Sequence, residues 1–387
     1  MRIGDIIYLD HQATTPVDPR VFAAMEPYFA REFGNPHSAD HILGWRAAQA
    51  VERSTTTIGS WIGADPDEIV FTSGATEANN LAILGLGRRA KHQKRKRILV
   101  SAIEHACVLE AVRALSSEYG FLIESIPVDS EGFIDLDTLR DLISDDVLLV
   151  SVMAVNNEIG TVQDIARIAE IVHEAGAFLH CDSAQAPMAI SMQDLCNHAD
   201  LLTLSAHKMY GPVGIGVLYV RRDLQNRVEP LIYGGGQQLD LRSGTVPVTL
   251  CVGMAEAIRL AQSDDGINAR QSTDALRTRF VKHLATLSPF IRLNGPTINR
   301  HPGNANILFE GYDGHELLGI LQPFVAASTG SACSSGLSRP SHVLRAIGLS
   351  EQEAQASIRF SLGKETTADD VDEAARRIED ALSIPLR

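Results

Sequence analysis

No two of the five cysteines, Cys107, Cys181, Cys196, Cys251 and Cys333, form a C-x-x-C pair, which removes the usual zinc and dithiol readings. An odd count without a secretion signal points to free thiols, and at least one is a candidate for chemistry. Positive charge is also short. Lys and Arg total 34 against 48 Asp and Glu, a net charge of −14, which argues against nonspecific binding to a phosphate backbone or an anionic membrane. No apolar run approaches the roughly 20 residues of a membrane span. The opening MRIGDIIYLDHQATTP has neither an apolar signal core nor a cleavage site, so a cytoplasmic protein is expected. Internal repeats and low-complexity linkers are missing too, so the two or three units expected of 387 residues, at roughly 150 each, should pack tightly. With 45% hydrophobic and 21% charged residues, composition is that of an ordinary globular protein and disfavours disorder and fibrous architectures.

What is present is an alternation. From about Val70 to Val220 the short runs EIVFT, RILVS, FLIESIPV, VLLVSVM, AFLHCD, LLTLS and VGVLYV, the last read loosely, are separated by helical stretches. Val-, Ile- and Leu-rich runs of this length predict an α/β unit with a mostly parallel sheet buried on both faces. After about Leu260 come a long polar helical stretch, ANILFE, a helix near GHELLGILQPF, a Ser/Gly loop, SHVLRAIGL, IRFSLG and a terminal helix, as in a smaller α+β domain. Thr367 is expected to cap that last helix, ahead of the acidic first turn Ala368-Asp369-Asp370.

In open α/β sheets ligands bind at the carboxyl ends of strands, and the informative residues sit there. EIVFTSGATEANNLAI reads as strand, small-residue turn and helix, with the N–H groups of Gly74, Ala75 and Thr76 at a helix amino terminus suited to a phosphate; any βα turn can also need a glycine. LLTLSAHKMYGP places Ser205, His207 and Lys208 just beyond a strand. A lysine at the edge of a buried strand is partly desolvated, which lowers its pKa and suits it to Schiff-base chemistry, and the Ser and His can add donors to a phosphate. Asp182 of AFLHCDSAQ can cap a helix or can pair with a pyridinium nitrogen and keep it protonated, making the ring an electron sink. ILVSAIEHACV delivers His105 beyond a strand end in the same way. A phosphate cradle, an amine, a carboxylate and a histidine in matching positions specify pyridoxal 5'-phosphate.

YLDHQATTPVDPR, FGNPHS, FTSGATEANNLAI, VNNEIGTVQDI, HCDSAQ, SAHKMYGPVGIGVLYVRR, GGG with RSGTVPV, STGSACSS and IRFSLG, in this order, resemble segments of the cysteine desulfurases, fold type I enzymes of the aminotransferase class V group. The resemblance runs through nearly the whole chain. It implies a large domain over residues 16–260, a small domain of 1–15 with 261–387, and a homodimer. It implies that Lys208 holds the cofactor, Asp182 pairs with its ring nitrogen and Gln185 contacts the ring hydroxyl. Ala75, Thr76, Ser205 and His207 would bind the phosphate, with Thr245 supplied from the other subunit. His105 would stack on the ring and serve in proton transfer. Asn157, also among the cofactor contacts, and Arg359 would orient the substrate, the latter through a bidentate contact to its carboxylate.

The loop AASTGSACSSGLSRP, residues 326–340, is small, polar and Gly-rich, a composition that predicts mobility and an exposed thiol at Cys333 in place of the buried small hydrophobe that a free cysteine otherwise tends to be. The resemblance, here to the long-loop subgroup, makes Cys333 the nucleophile that takes sulfur from L-cysteine as a persulfide, leaves alanine, and carries the sulfur to an acceptor protein. A thiol near its ordinary pKa of about 8.5 is mostly protonated at pH 7, so a base is needed, and His105 is the candidate. Cys181 reads as core, Cys107 as packing with a smaller claim to function through its neighbour His105, and Cys196 and Cys251 have no chemical context.

The chain departs from the family at Ala106-Cys107, where a Lys or His commonly follows the Glu-His pair, at Gln238-Leu239 in GGGQQLDLRSGT, and at GNANILFE. The one basic run, Arg88 to Arg97, reads as a solvated helix end before a strand, with an acidic docking partner or nucleic acid as the alternative. Two other functions remain: a related class V enzyme such as an aminotransferase or selenocysteine lyase, which need not depend on Cys333, and a noncatalytic assembly subunit, against which the intact Lys208, Asp182, His105 and Cys333 argue. Iron–sulfur cluster assembly, tRNA thiolation and sulfur modification of DNA all begin with the same persulfide.

Overall fold

The computed structural model of the protein describes residues 1–193, 195–329 and 340–383. Two short strands open the chain, β1 (Arg2–Ile3) and β2 (Ile6–Tyr8). Seven more follow: β3 (Ile69–Thr72), β4 (Arg97–Ser101), β5 (Leu122–Ile126), β6 (Val147–Ser151), β7 (Phe178–Asp182), β8 (Leu201–Ser205) and β9 (Gly216–Val220). They pair in the order β3-β9-β8-β7-β6-β4-β5. Neighbours are parallel from β8 to β5, and β9 alone runs antiparallel to both of its partners. This is the mixed, mostly parallel sheet of the α/β reading. Alternate residues of its strands feed two cores: Leu99, Val150, Leu179, Leu202 and Val217 pack on one side, Ile98, Val100, Leu149, Leu201 and Leu218 on the other. Burial on both faces is why the strands read as unbroken apolar runs, and why nothing in GVLYV reveals that β9 is reversed.

The carboxy-terminal part adds β10 (Ile291–Leu293), β11 (Asn304–Phe309), β12 (Val325–Ala326) and β13 (Ser357–Ser361). β10, β11 and β13 form an antiparallel sheet, while β12 lies parallel to β2. The helices Asp264–Leu287 and Ala368–Leu382 bury Phe280 and Ile378 in one core with Phe309 and Phe360. Thr367 caps the last helix, its side chain accepting from the Asp370 N–H, as the sequence predicts.

The segment Asp10–Asp18 runs between the two parts. His11 N–H donates to the Ser361 carbonyl at 3.1 Å, Thr15 N–H to that of His207 at 2.9 Å, and Asp18 N–H to that of Tyr210 at 3.0 Å. The Asp18 carboxylate accepts from Arg20 and from Lys364, tying the strap to the carboxy-terminal part.

The basic run divides in two. Arg88 and Arg89 occupy the last turn of the helix Ala75–Ala90, where cations suit the dipole. Arg95 donates to the Val147 and Ala175 carbonyls, Lys96 to that of Tyr119 while lying 4.7 Å from the Phe121 ring centroid, and Arg97 to Glu124 and Asp146. Its second half is spent on stitching β4 to its neighbours.

Candidate active site

The loops at the carboxyl ends of β3, β4, β6, β7 and β8 converge on a cavity of about 410 Å³. Gly216 stands beneath the turn that borders it. It lies opposite Thr72 and Ser205, and a Cβ built on it would stand 2.7 Å from the Gly74 Cα and 2.7 Å from the Leu204 carbonyl oxygen. That close approach draws the Ser73-Gly74 turn over β9. Gly74, at φ +149°, is then the uncapped start of the helix Ala75–Ala90. Without a side-chain cap, the first-turn N–H groups at Ala75 and Thr76, which line the cavity beside Ser205 and His207, keep their capacity for an anion. His207 Nδ1 lies 3.1 Å from the Thr14 hydroxyl, and burial followed by the charge of Lys208 lowers its pKa to about 4.

Lys208 reaches into the same space and donates from Nζ to the carbonyls of Gln12 at 2.7 Å and Ala13 at 2.6 Å. Gln185 Nε2 donates to the Gln12 carbonyl as well, at 2.9 Å. Asp182 ends β7, and its buried carboxylate accepts from Asn79 Nδ2 at 2.7 Å and from the Ala184 N–H at 3.0 Å. Behind it runs a buried chain: the Ser151 hydroxyl is 2.8 Å from His180 Nδ1, and His180 Nε2 is 3.1 Å from Asn79 Oδ1. Burial holds His180 neutral, at a pKa of about 4.

His105 caps the helix Ala106–Tyr119, its Nδ1 accepting from the Cys107 N–H at 3.2 Å. Burial, aided by the charges of Lys208 and His342 and only partly offset by that of Asp182, sets its pKa below the usual histidine range. Arg359, on β13, donates from Nη1 to the Asn157 carbonyl and from Nη2 to Asp10 Oδ1, each at 2.8 Å, while its buried Nε has no partner among the described residues. Buried donors left over in this way suit a carboxylate ligand.

Ala75, Thr76, His105, Asn157, Asp182, Gln185, Ser205, His207, Lys208 and Arg359 therefore all line one cavity. Thr245 does not join them within this chain and is exposed. Cys333 lies outside the described residues; the segment that carries it leaves from Ser328, whose backbone pairs both ways with Arg359, and returns at Ser341, whose hydroxyl donates to Glu158 at 2.5 Å. Sequence reasoning passed over Asp10, Gln12 and Asn79. Asn79 carried a signal, since it follows Ala75 by one helical turn and so shares its face.

The departures from the family acquire local roles. Gln238 brackets the open edge of β3, accepting from the Phe71 N–H at 2.7 Å and donating to its carbonyl at 3.0 Å. Asn304 of GNANILFE donates to Gln12 Oε1 at 2.6 Å and to the Glu158 carbonyl at 2.9 Å, bracing the strap against the Asn157 loop. Cys107 lines the cavity itself.

An uncapped helix start over a glycine cradle, a lysine amine, a carboxylate fixed by two donors and an unfilled guanidinium donor are the groups that a phosphorylated pyridine aldehyde and an amino acid require. The architecture and this donor set define a fold type I enzyme of pyridoxal 5'-phosphate. Residues 7–374 match the aminotransferase class-V family, and the chain belongs to it. It is similar to a protein named cysteine desulfurase IscS from Rickettsia rickettsii (strain Iowa), 45% identical over 372 residues that cover 96% of this chain and 90% of that relative. A solved structure named NifS-like protein superposes with a TM-score of 0.90 at 34% identity, covering 99% of this chain and 100% of the other. Another, titled SspA in complex with cysteine, gives a TM-score of 0.82 at 37% identity over 93% of this chain and 99% of that one.

Proposed function

We propose that this chain is a pyridoxal-phosphate-dependent cysteine desulfurase that moves the sulfur of L-cysteine onto the Cys333 thiol and releases L-alanine. The observation that carries the reading is the single cavity in which Lys208, Asp182, His105 and Arg359 meet. Phosphate is held by Ala75, Thr76, Ser205 and His207, with Thr245 of a second copy completing the site. Asp182 pairs with the ring nitrogen and Gln185 with the ring hydroxyl. The cofactor supplies an electron sink for negative charge at the substrate Cα.

Arg359 and Asn157 hold the substrate carboxylate, and Lys208 Nζ takes the Cα proton. The Cys333 sulfur then attacks the substrate sulfur: an S–S bond forms, the C–S bond breaks, and its electron pair takes a proton to become the methyl group of alanine. One thiol and one cysteine thus become one persulfide and one alanine, with no outside oxidant. The persulfide passes to an acceptor protein.

The domain division at 16–260 against 1–15 with 261–387 belongs to this reading, as do a cytoplasmic setting and a homodimer. Exposed Phe22, Phe29, Phe33, Trp45, Val213, Tyr233 and Leu239 supply apolar surface that a partner subunit would cover. Among the described residues, no helix is long and apolar enough to cross a membrane.

The deciding experiment compares alanine and sulfide release from L-cysteine, with reductant, by wild type and Cys333→Ser. Alanine from wild type and almost none from a variant that keeps its cofactor absorbance is the expected result. Equal turnover would move the chain to a lyase or aminotransferase that does not use this thiol.

A further inference from the structure

Cys107 is the one cavity-lining thiol among the described residues, and the transfer chemistry above does not use it. Its sulfur lies 3.1 Å from His105 Nδ1 and 3.2 Å from Asn79 Nδ2. The direction of each contact follows from its neighbours. His105 Nδ1 already accepts the backbone N–H of Cys107, so that nitrogen bears no proton and the second contact requires the thiol to donate. Asn79 Nδ2 faces the Asp182 carboxylate, so it is the amide's donor end, and the sulfur accepts from it. The thiol is thus threaded in one sense, from Asn79 through sulfur to His105. Burial, followed by the charge of Asp182, pushes the Cys107 thiol up to about 12, so it stays protonated and is no rival to Cys333 as a sulfur acceptor.

We propose that Cys107 is a positioning residue: its thiol joins the amide that holds Asp182 to the imidazole of His105, and adds a second donor at Nδ1 beside the backbone N–H that already sets the proton on Nε2. The inference rests on the desulfurase reading for what His105 then does. With Nδ1 doubly occupied and a proton on Nε2, the neutral ring offers an N–H hydrogen bond to the substrate side, in place of serving as the base for Cys333. The other groups that set the charge around His105 are Asp182, Lys208 and His342, with Glu104 preceding it in the chain, and none of these is altered by changing Cys107.

The test uses the holoenzyme of wild type, Cys107→Ala and Cys107→Ser, followed by nitrogen NMR of labelled histidine across pH and, in parallel, by the pH profile of kcat/KM for alanine release. A donor to Nδ1 stabilises the neutral ring, so its loss in Cys107→Ala should raise the His105 titration by about half a unit to one unit and move the acid limb of the profile with it. Cys107→Ser, which retains a donor, should titrate like wild type with the proton still on Nε2. A Cys107→Ala titration unchanged from wild type, or a Ser variant shifted as far as Ala, overturns the proposal. Wild type that binds cofactor but makes no alanine would instead remove the desulfurase reading, and the NMR titration would still decide the role of Cys107.

Discussion

Arg359 and Asp10 stand 349 positions apart in the chain and are joined by a 2.8 Å hydrogen bond from Nη2 to Oδ1. The guanidinium is 6% exposed and the carboxylate 20%, so the pair is largely withdrawn from water. The amino-terminal strap therefore fixes the group expected to grip the substrate carboxylate.

Asp10→Ala should lower stability by about 1–3 kcal/mol, less than a fully buried pair would cost because Asp10 is partly solvated. It also frees one arm of the Arg359 fork. The KM for L-cysteine should rise about tenfold, roughly 1.4 kcal/mol of binding, with kcat changing less. Thermal melts and steady-state alanine release check both; an unchanged KM would mean that the Asn157 carbonyl alone orients the arginine.

Gly216→Ala should loosen the cofactor. Its Cβ would meet backbone on two sides at 2.7 Å, at Gly74 and at Leu204, and since β8, which carries Leu204, is held by β-ladders on both sides the turn at Gly74 must give way. Overpacking of this kind costs about 1–3 kcal/mol, and here the displaced element is the phosphate turn. Retention of the cofactor absorbance through gel filtration is the measurement. A variant that keeps its cofactor as wild type does would show that the turn can shift without loss.

Asp18→Asn probes the tie between strap and carboxy-terminal part by pH. Hydrogen bonds from Arg20, and then from Lys364, hold the Asp18 carboxyl well below the usual carboxylate range. A depressed folded-state pKa contributes stability that is present above the ordinary aspartate value near 4 and is lost as pH falls through the folded value. The variant should melt a few degrees below wild type at pH 7, and the gap should narrow below about pH 4. Parallel melting curves down to pH 3 would remove the charge pairing as the cause.

The sheet was legible because each strand is buried on both faces, so RILVS, VLLVS, FLHCD and LLTLS stand out as apolar runs against amphipathic helices. Direction was not, since β9 packs as its parallel neighbours do. Lys208, Asp182 and His105 were legible because each ends or follows a strand, and local order predicts their shared edge. Asp10, Gln12 and Asn79 were not: Gln12 works through its carbonyl, which every residue has, and Asp10 finds Arg359 only through tertiary pairing. Cys107 was read as packing, because nothing in H-A-C tells a thiol that fills space from one aimed at an imidazole nitrogen.

The strap has a consequence for the order in which the molecule is made. Its Gln12 N–H bonds the Ser361 hydroxyl at 2.9 Å, and its Gln12 side chain meets Asn304. Gln12 thus waits for a residue made 349 positions later before the lysine, the carboxylate clamp and the ring site can assume their positions. Domains otherwise tend to fold from the amino terminus as they emerge. Here the large sheet can form during translation, but the binding pocket is completed only after Asn304 and Ser361 have emerged, so cofactor capture follows their synthesis.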